Sequence, residues 1–463
     1  MMGRQAVFMK ETVRMMIERL RHRYYSEVPE TRKDYAKSRR FFTMDGVTAN
    51  SIAVLVTGTI LAGYLKMLGV SDALNGIISA LPVLLTVTQP IGAVLSERLH
   101  RRKLFVCTLA LIHRLLFAGM FCVPLLFRDV GLRLVVLFVF YILAHGLGGL
   151  IGPAANNWIV SLTPNRVRGR YFSIREKYLI VISSTVSMVM GYVLDLFKGA
   201  GNEAGAYLTV AAVVAILAVG NFSALSHIME PPVKQMPSGV KFRDLFILPF
   251  KSKAFLPVVV FHMLWNISAQ IVLPYLGVFW VSDLHLSYTY IMVVAFAMSI
   301  FRAVILKRWG RLADHTSWAF VTKIAIVVLA VSHMVLLFIV PSNAVWFYFL
   351  QSILSNVSWA VMGMAVLNIQ FDYAPEEGRT LYIGANTAIG GLAGFAASFV
   401  GAGVVSLFEK LNLTFLGAPL KGQQILLVIS GILMLTCAAY IHVFVEKHKK
   451  KSNKQRKEKQ IQA

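Results

Sequence analysis

The chain has 463 residues, of which 57% are apolar and only 15% are charged. Soluble domains carry roughly 25% charged residues, so an ordinary water-soluble globule is excluded. The net charge of +24 would suggest nucleic acid on a soluble protein. Here the basic residues sit in tails and short loops between apolar blocks, so no nucleic-acid partner is expected, and anionic lipid is the expected contact of the basic tails.

Residues 1–45 read as a cytoplasmic tail. Met9, Val13, Met16, Ile17, Leu20 and Tyr24 recur at helical spacing with Arg and Glu between them. That pattern fits an amphipathic helix on the inner leaflet and equally a disordered basic tail. Behind Lys10, Arg14, Arg19, Arg21 and Arg23 there is no short apolar core with a small-residue cleavage site, so the spans themselves are expected to direct insertion. Twelve apolar blocks of bilayer length follow, near 46–69, 72–96, 104–127, 134–160, 177–197, 206–228, 254–281, 287–307, 318–340, 344–370, 381–408 and 421–445. The reading is therefore an all-α integral membrane protein. A six-helix bundle over 46–228 is joined by a cytoplasmic linker, 229–253, to a second bundle over 254–446. The basic tail, 447–463, has no apolar face and reads as disordered.

Alternate loops differ sharply in Lys and Arg. One set holds Arg98, Arg101, Arg102 and Lys103, then Arg166, Arg168, Arg170 and Arg175, then Lys234, Lys241, Arg243, Lys251 and Lys253, then Lys307, Arg308 and Arg311. The other set holds only Arg128, Arg133, Lys198, Lys410 and Lys421. The rich side is expected to be cytoplasmic, with both termini on it, as an even number of spans requires. Cys107, Cys122 and Cys437 all fall inside apolar blocks without metal-ligand spacing and read as packing residues.

The chain repeats itself at a shift of 211 positions. Tyr64-Leu65 with Val70-Ser71-Asp72 returns as Tyr275-Leu276 with Val281-Ser282-Asp283. At the same shift Gly152, Ala154, Asn157, Pro164, Arg168 and Tyr171 meet Gly363, Ala365, Asn368, Pro375, Arg379 and Tyr382. Parallel repeats of this kind put a binding site between the halves, near the midplane. After span eight stands Gly310-Arg311-Leu312-Ala313-Asp314. After span two a looser copy keeps Leu95, Glu97, Arg98, Arg101 and Arg102, with Ala93 and His100 in place of glycines.

The second copy resembles the Gly-x-Leu-Ala-Asp loop of the major facilitator superfamily, and the span pattern from about Gly46 to Val445 is similar to that family's. The resemblance implies an MFS-type fold with two pseudo-symmetric six-helix bundles. It implies a transporter, and a gating role for Glu97, Arg98, Arg101, Arg102, Gly310 and Asp314, joined here by the repeated Arg168 and Arg379. A carboxylate–Arg contact that exists in one state and breaks in the other biases the equilibrium. Charges that only enforce orientation are the plainer alternative. The resemblance also implies a cavity bordered by spans one, four, seven and ten.

Polar side chains in lipid should face a cavity or another helix. In span seven His262, Asn266 and Gln270 fall at i, i+4 and i+8, one helical face, about 12 to 24 Å in from Ala254 at 1.5 Å per residue. Trp265 flanks them. Asn356 and Trp359 in span ten, His145 and Asn157 in span four, and Asn50 in span one complete the expected substrate cavity. Interhelical hydrogen bonding alone would also account for such residues. Faces in span five (Ser183, Ser187, Gly191 and Asp195, the last near the outer end of the span) and span eleven (Asn386, Gly390, Gly394, Ser398) suit close packing or sliding. Arg114, beside His113 in the middle of span three, fits a structural partner or a substrate anion.

No carboxylate is expected deep in spans one, four, seven or ten, with Asp45 placed at the entrance of span one. In span four Ile142 and His145 stand where the family commonly has Arg and Gln, and span five lacks the proline of the drug-antiporter signature. Cation–proton antiport is disfavoured on these grounds. His145 and His262 are the titratable candidates for any coupling proton.

No phosphate loop, metal motif or nucleophile elbow is present, so neither enzyme activity nor a cofactor is expected. The reading is a monomeric secondary carrier of a small neutral or weakly anionic solute in the cytoplasmic membrane, with or without a coupling proton or cation. A multidrug efflux carrier is the alternative, and a channel or non-transporting receptor the weaker one.

Overall fold

A computed structural model describes Met15 and residues 36–99, 102–163, 165–230, 247, 249–375 and 379–446. Apart from Met15, the amphipathic pattern between Met9 and Tyr24 lies outside the described residues, as do most of the linker and the tail from 447. Among the described residues eleven helices are long and apolar enough to cross a bilayer, and a pair bent by 41°, Ala36–Leu55 with Gly58–Met67, makes a twelfth when taken as one span. Spans two to six are Asp72–Leu95, Lys103–Leu126, Val130–Asn156, Arg170–Gly199 and Glu203–Ser226. Spans seven to twelve are Leu256–Asp283, Tyr288–Ala313, Trp318–Phe338, Ala344–Tyr373, Tyr382–Leu411 and Gly422–Glu446. Their outer surfaces carry bare aliphatic side chains such as Ile216 (72% exposed) and Leu125 (68%), which water would not tolerate over so many positions and acyl chains do.

The first helix starts at Ala36, well before the expected 46. Lys37, Arg39 and Arg40 hide its first turns from a hydropathy reading, but hydrogen bonds fasten them to the bundle. Arg39 Nη1 donates to the Leu162 carbonyl (3.1 Å) and the Tyr171 hydroxyl to the Arg39 carbonyl (2.9 Å). The Met229 amide donates to Ser38 Oγ (3.1 Å). Likewise the Gly310–Asp314 motif, expected as a loop, continues the helix Tyr288–His315.

Helix pairing repeats between the two groups of six. Span one packs on five and six, span two on four, and span three on four and six. Span seven packs on eleven and twelve, span eight on ten, and span nine on ten and twelve. Spans two with eleven, five with eight, and the ends of one with seven join the groups.

Spans one and seven both break in mid-course. Thr57 is extended and Gly58 takes φ +62° before the helix resumes, a conformation glycine adopts without steric cost. Span seven breaks at Ile271–Val272 and restarts at Leu273, with Pro274 in its first turn. The two restarted segments pack on each other, where Gly277 sits so close that a Cβ would lie 3.0 Å from Ala62 Cβ and 3.1 Å from the Gly58 carbonyl.

Two faces can be named by their loops: a basic face, with the Lys/Arg-rich loops, and a far face. The described contacts between the halves run from the middle of the spans to the far face. Gly391 of span eleven lies against Val83 and Thr86 of span two, and Gly76 receives the ring of Tyr275. Ser184 and Ser299 share a hydrogen bond (3.4 Å), and Ser187 Oγ donates to Met292 Sδ (2.8 Å).

A Cβ at Gly391 would sit 2.5 Å from the Val83 carbonyl, a backbone atom that cannot swing aside, whereas nothing stands within 4 Å of one at Gly403 on the same helix. Gly391→Val is therefore expected to cost about 1–3 kcal/mol by overpacking and to lower the melting temperature in detergent, with Gly403→Val near wild type. Equal melting temperatures in the two variants would contradict the close seam between spans two and eleven.

Candidate functional site

The stripe His262, Asn266, Gln270 is on one face of Leu256–Gln270, and that face meets span eleven. His262 Nδ1 lies 3.1 Å from the Asn386 carbonyl. Asn266 Nδ2 donates back to the His262 carbonyl at 2.8 Å. Gly390 and Gly394 form the notches: a Cβ at Gly390 would be 2.5 Å from His262 Nδ1 and 2.8 Å from Asn266 Nδ2, and one at Gly394 would be 2.9 Å from Gln270 Cγ. The small-residue face of span eleven thus seats the polar stripe of span seven.

Several polar groups in this seam are unspent. The side-chain amide of Asn386 is fully buried with neither atom hydrogen-bonded. Native proteins rarely leave such groups without a partner. Gln270 is half-buried. Beside the stripe, the rings of Trp265 and Trp359 meet edge to face at 5.5 Å, which brings spans seven and ten together. Asn356 spends its Nδ2 on the Ser352 carbonyl of its own helix (2.8 Å).

In the first half Asn50 Nδ2 donates to Ser183 Oγ (2.8 Å), tying span one to span five. His145 is wedged in the seam of spans three and four, 4.5 Å from the Tyr141 ring and 4.9 Å from Phe117, with Nε2 unbonded. His113 faces the same cluster, 5.8 Å from Phe117.

Arg114 has a partner. Its Nη2 is 3.9 Å from Asp45 Oδ1, and both side chains are buried. Asn221 of span six donates to the same carboxylate (2.9 Å), to the Asp45 carbonyl (3.0 Å) and to Thr48 Oγ1 (2.9 Å). Arg175 lies against Gly46 next to them. Because the helix begins at Ala36, Asp45 is about 13 Å along it. The expected place at the entrance of span one is corrected: Asp45 lies inside the helix, buried against spans three and six. Hydropathy missed it because Arg39 and Arg40 precede it.

On the basic face Arg102 is buried, and its amide donates to Glu230 beyond span six. The Lys103 amide reaches the same carboxylate at 3.2 Å, so Glu230 caps span three. Burial pushes the Glu230 carboxyl above its usual range, against the pull of those two amides. Gly310 has open space where a Cβ would stand, so no close approach requires a glycine there. Arg101 and the side chains of Glu97, Arg98, Asn157, Arg168, Asp314 and Arg379 lie outside the described residues.

A cavity of about 290 Å³ opens at the far face, among Gly63, Lys66, Lys198, Glu203, Tyr207 and His285, away from the span-seven stripe. Among the described residues no three His, Cys, Asp or Glu side chains are grouped to hold a metal.

The family model of the Major Facilitator Superfamily matches residues 46–398. Among solved structures the fold is similar to a D-xylose–proton symporter, with TM-score 0.67 and 14% identity over 89% of this chain and 98% of that one. It is also similar to the nucleoside transporter NupG, at 0.64 and 14% over 88% and 99%. A POT family transporter in complex with 5-aminolevulinic acid gives 0.60 and 15% over 88% and 95%. At such identities the likeness speaks for the fold alone, and no curated protein matches the chain. The family match runs through both groups of six spans, so the chain belongs to the major facilitator superfamily and is a multi-pass membrane transporter.

Proposed function

We propose that the protein is a monomeric secondary carrier that moves a small polar solute by alternating access of its two six-span halves. The observation that carries the reading is the repeated helix pairing, with the glycine and hydrogen-bond contacts described between the halves running from mid-span to the far face. Two similar bundles joined along a seam can rock, closing one face as the other opens. The Lys/Arg bias of the loops supports a cytoplasmic basic face with both termini on it, in the cell membrane. Access is then from the cytoplasm in this state. The basic-face residues Glu97, Arg98 and Asp314 serve as the opposing gate, a role that rests on the family's loop motif.

The solute site in this reading is the span-seven seam. Asn386, Gln270, His262 and Asn356 offer amide and imidazole groups beside the indoles of Trp265 and Trp359, a set suited to a neutral or weakly anionic polar molecule. Uptake into liposomes should saturate and show counterflow; conductance that never saturates would overturn the carrier reading. Gln270→Ala removes an amide that packs lightly, and losing one neutral hydrogen bond of about 0.5–1.5 kcal/mol should weaken apparent affinity about two- to tenfold with insertion unchanged. Unchanged kinetics in both Gln270→Ala and Asn266→Ala would remove span seven from the site.

The Asp45–Arg114–Asn221 cluster is the proposed coupling element, since a buried charged cluster in a span is costly and functional by default. A proton on Asp45 would cancel its charge and release Arg114. Asp45→Asn alone leaves Arg114 uncompensated, a loss of about 3–5 kcal/mol. The double variant Asp45→Asn/Arg114→Gln removes both charges and should fold. It is expected to catalyse solute exchange without accumulating solute against a gradient under an imposed proton gradient. Wild-type accumulation by the double variant would reduce the pair to a structural role.

A further inference from the structure

Span eight begins inside the other half. Tyr288, its first residue, is buried and gripped by the first half from several sides. Its hydroxyl meets that of Tyr207 in span six at 3.1 Å. The same hydroxyl fills the space where a Cβ would stand on Gly63 of span one. A Cβ at Gly191 of span five would lie 3.0 Å from the Tyr288 carbonyl. One turn further along span five, the Asp195 carboxylate accepts from the Tyr288 amide (3.0 Å), the Thr289 amide (2.6 Å) and the Thr289 hydroxyl (2.5 Å).

The first amides of a helix have no partner within it, and they carry the positive end of its dipole. Span eight's own cap, Ser287, serves only the Tyr290 amide. The two amides it leaves are met by a charge from the opposite half. In the repeat frame span two needs no such help. Ser71 and Asp72 begin it, Ser71 Oγ takes the Leu74 amide (3.3 Å), and among the described residues no second-half carboxylate accepts a hydrogen bond from its first amides.

We infer that Asp195 latches the far-face gate, acting as a positioning residue that holds the far face shut by capping span eight across the two halves. This rests on the rocking of the halves proposed above. The nearby ion pairs are each made within one half, Lys66–Asp72 (2.5 Å) in the first and Lys421–Asp283 (2.6 Å) in the second, and their charges face one another across the seam, whereas the Asp195 hydrogen bonds cross it directly. Opening the far face breaks all three Asp195 hydrogen bonds at once and returns two amides, a hydroxyl and a carboxylate to water. A charged cap makes stronger hydrogen bonds than a neutral one, so the latch weakens in steps from Asp to Asn to Ala.

The test is a pair of spin-label distances in full-length protein in lipid nanodiscs, in a background with Cys107, Cys122 and Cys437 replaced. Ala200→Cys with Ser342→Cys reports the far face, and Ser161→Cys with Thr316→Cys reports the basic face. Asp195→Ala is expected to raise the ratio of far-face-open to far-face-closed molecules about five- to thirtyfold, the range for losing a strong helix cap. Asp195→Asn should fall between it and wild type. The basic-face distance should shorten as the far-face distance lengthens. Thr289→Val, which removes only the hydroxyl donor, should shift the ratio the same way by less, and it keeps the test sound if Asp195→Ala fails to fold. If wild type samples two distances at each face and neither Asp195 variant nor Thr289→Val changes their ratio, the latch is wrong. Single unvarying distances at both faces in a transport-competent protein would instead sink the rocking itself.

Discussion

Helices in a bilayer gain little from hiding apolar side chains, because acyl chains are as apolar as leucine. Association must come from close approach and from hydrogen bonds that lipid cannot supply. This constraint explains where the glycines and polar residues of the chain stand. Gly391 lets span eleven touch the backbone of span two, Gly277 lets the restarted end of span seven touch span one, and Gly390 and Gly394 let span eleven close over His262, Asn266 and Gln270. Each is a place where one methyl group would force helices apart. Seams made this way are short-range and can be parted and remade without exposing a greasy core, which suits a transporter whose halves change their contact.

The same constraint separates polar groups that are spent from those that are not. Asn50 is used on Ser183, and Asn221 on Asp45 and Thr48. These bonds hold helices of one half together. Asn386 is buried with both amide atoms unbonded, and it borders the span-seven stripe. An unsatisfied amide in so low a dielectric is expensive, and a solute that arrived with its own donors and acceptors would relieve that cost. Asn386 is the unspent group that the proposed site in the seam of spans seven, ten and eleven draws on, and the first half holds others at His113, Tyr141 and His145. His145 packs among Tyr141 and Phe117 with its Nε2 unbonded.

Much of the fold was legible in the sequence, because apolar blocks of bilayer length and a 211-residue repeat are long-range signals that survive local noise. The family followed from one motif and is confirmed by the match over 46–398. Errors arose where a helix runs past its apolar stretch. Ala36–Asp45 is polar yet helical, so Asp45 was misplaced and its pairing with Arg114 went unseen. Gly310–Asp314 continues a helix for the same reason. The polar stripe of span seven could be read from spacing. Its neighbour could not, since a helical face says nothing about which helix it meets. Asp195 could be placed on the span-five face near its outer end, but its partner could not, since a carboxylate near a helix end looks like any solvated charge until the helix it caps is known.

Duplication gives the two halves one frame, and the departures from it carry the directional chemistry. Tyr64 and Tyr275 occupy equivalent repeat positions, but the first donates to the Met120 carbonyl in span three and the second to the Ser398 carbonyl in span eleven. Asp45 and Arg114 face each other in the first half, where the repeat positions of the second hold Leu256 and Ala325. The unbonded Asn386 amide and the paired indoles are in the second half, and Asp195, the carboxylate that among the described residues crosses the seam to cap a helix, belongs to the first. A perfectly symmetric pair of bundles would have no reason to prefer either face. Unequal residues on an equal frame give the two faces different energies, and in the proposed rocking of the halves that difference is what a solute or an ion must work against.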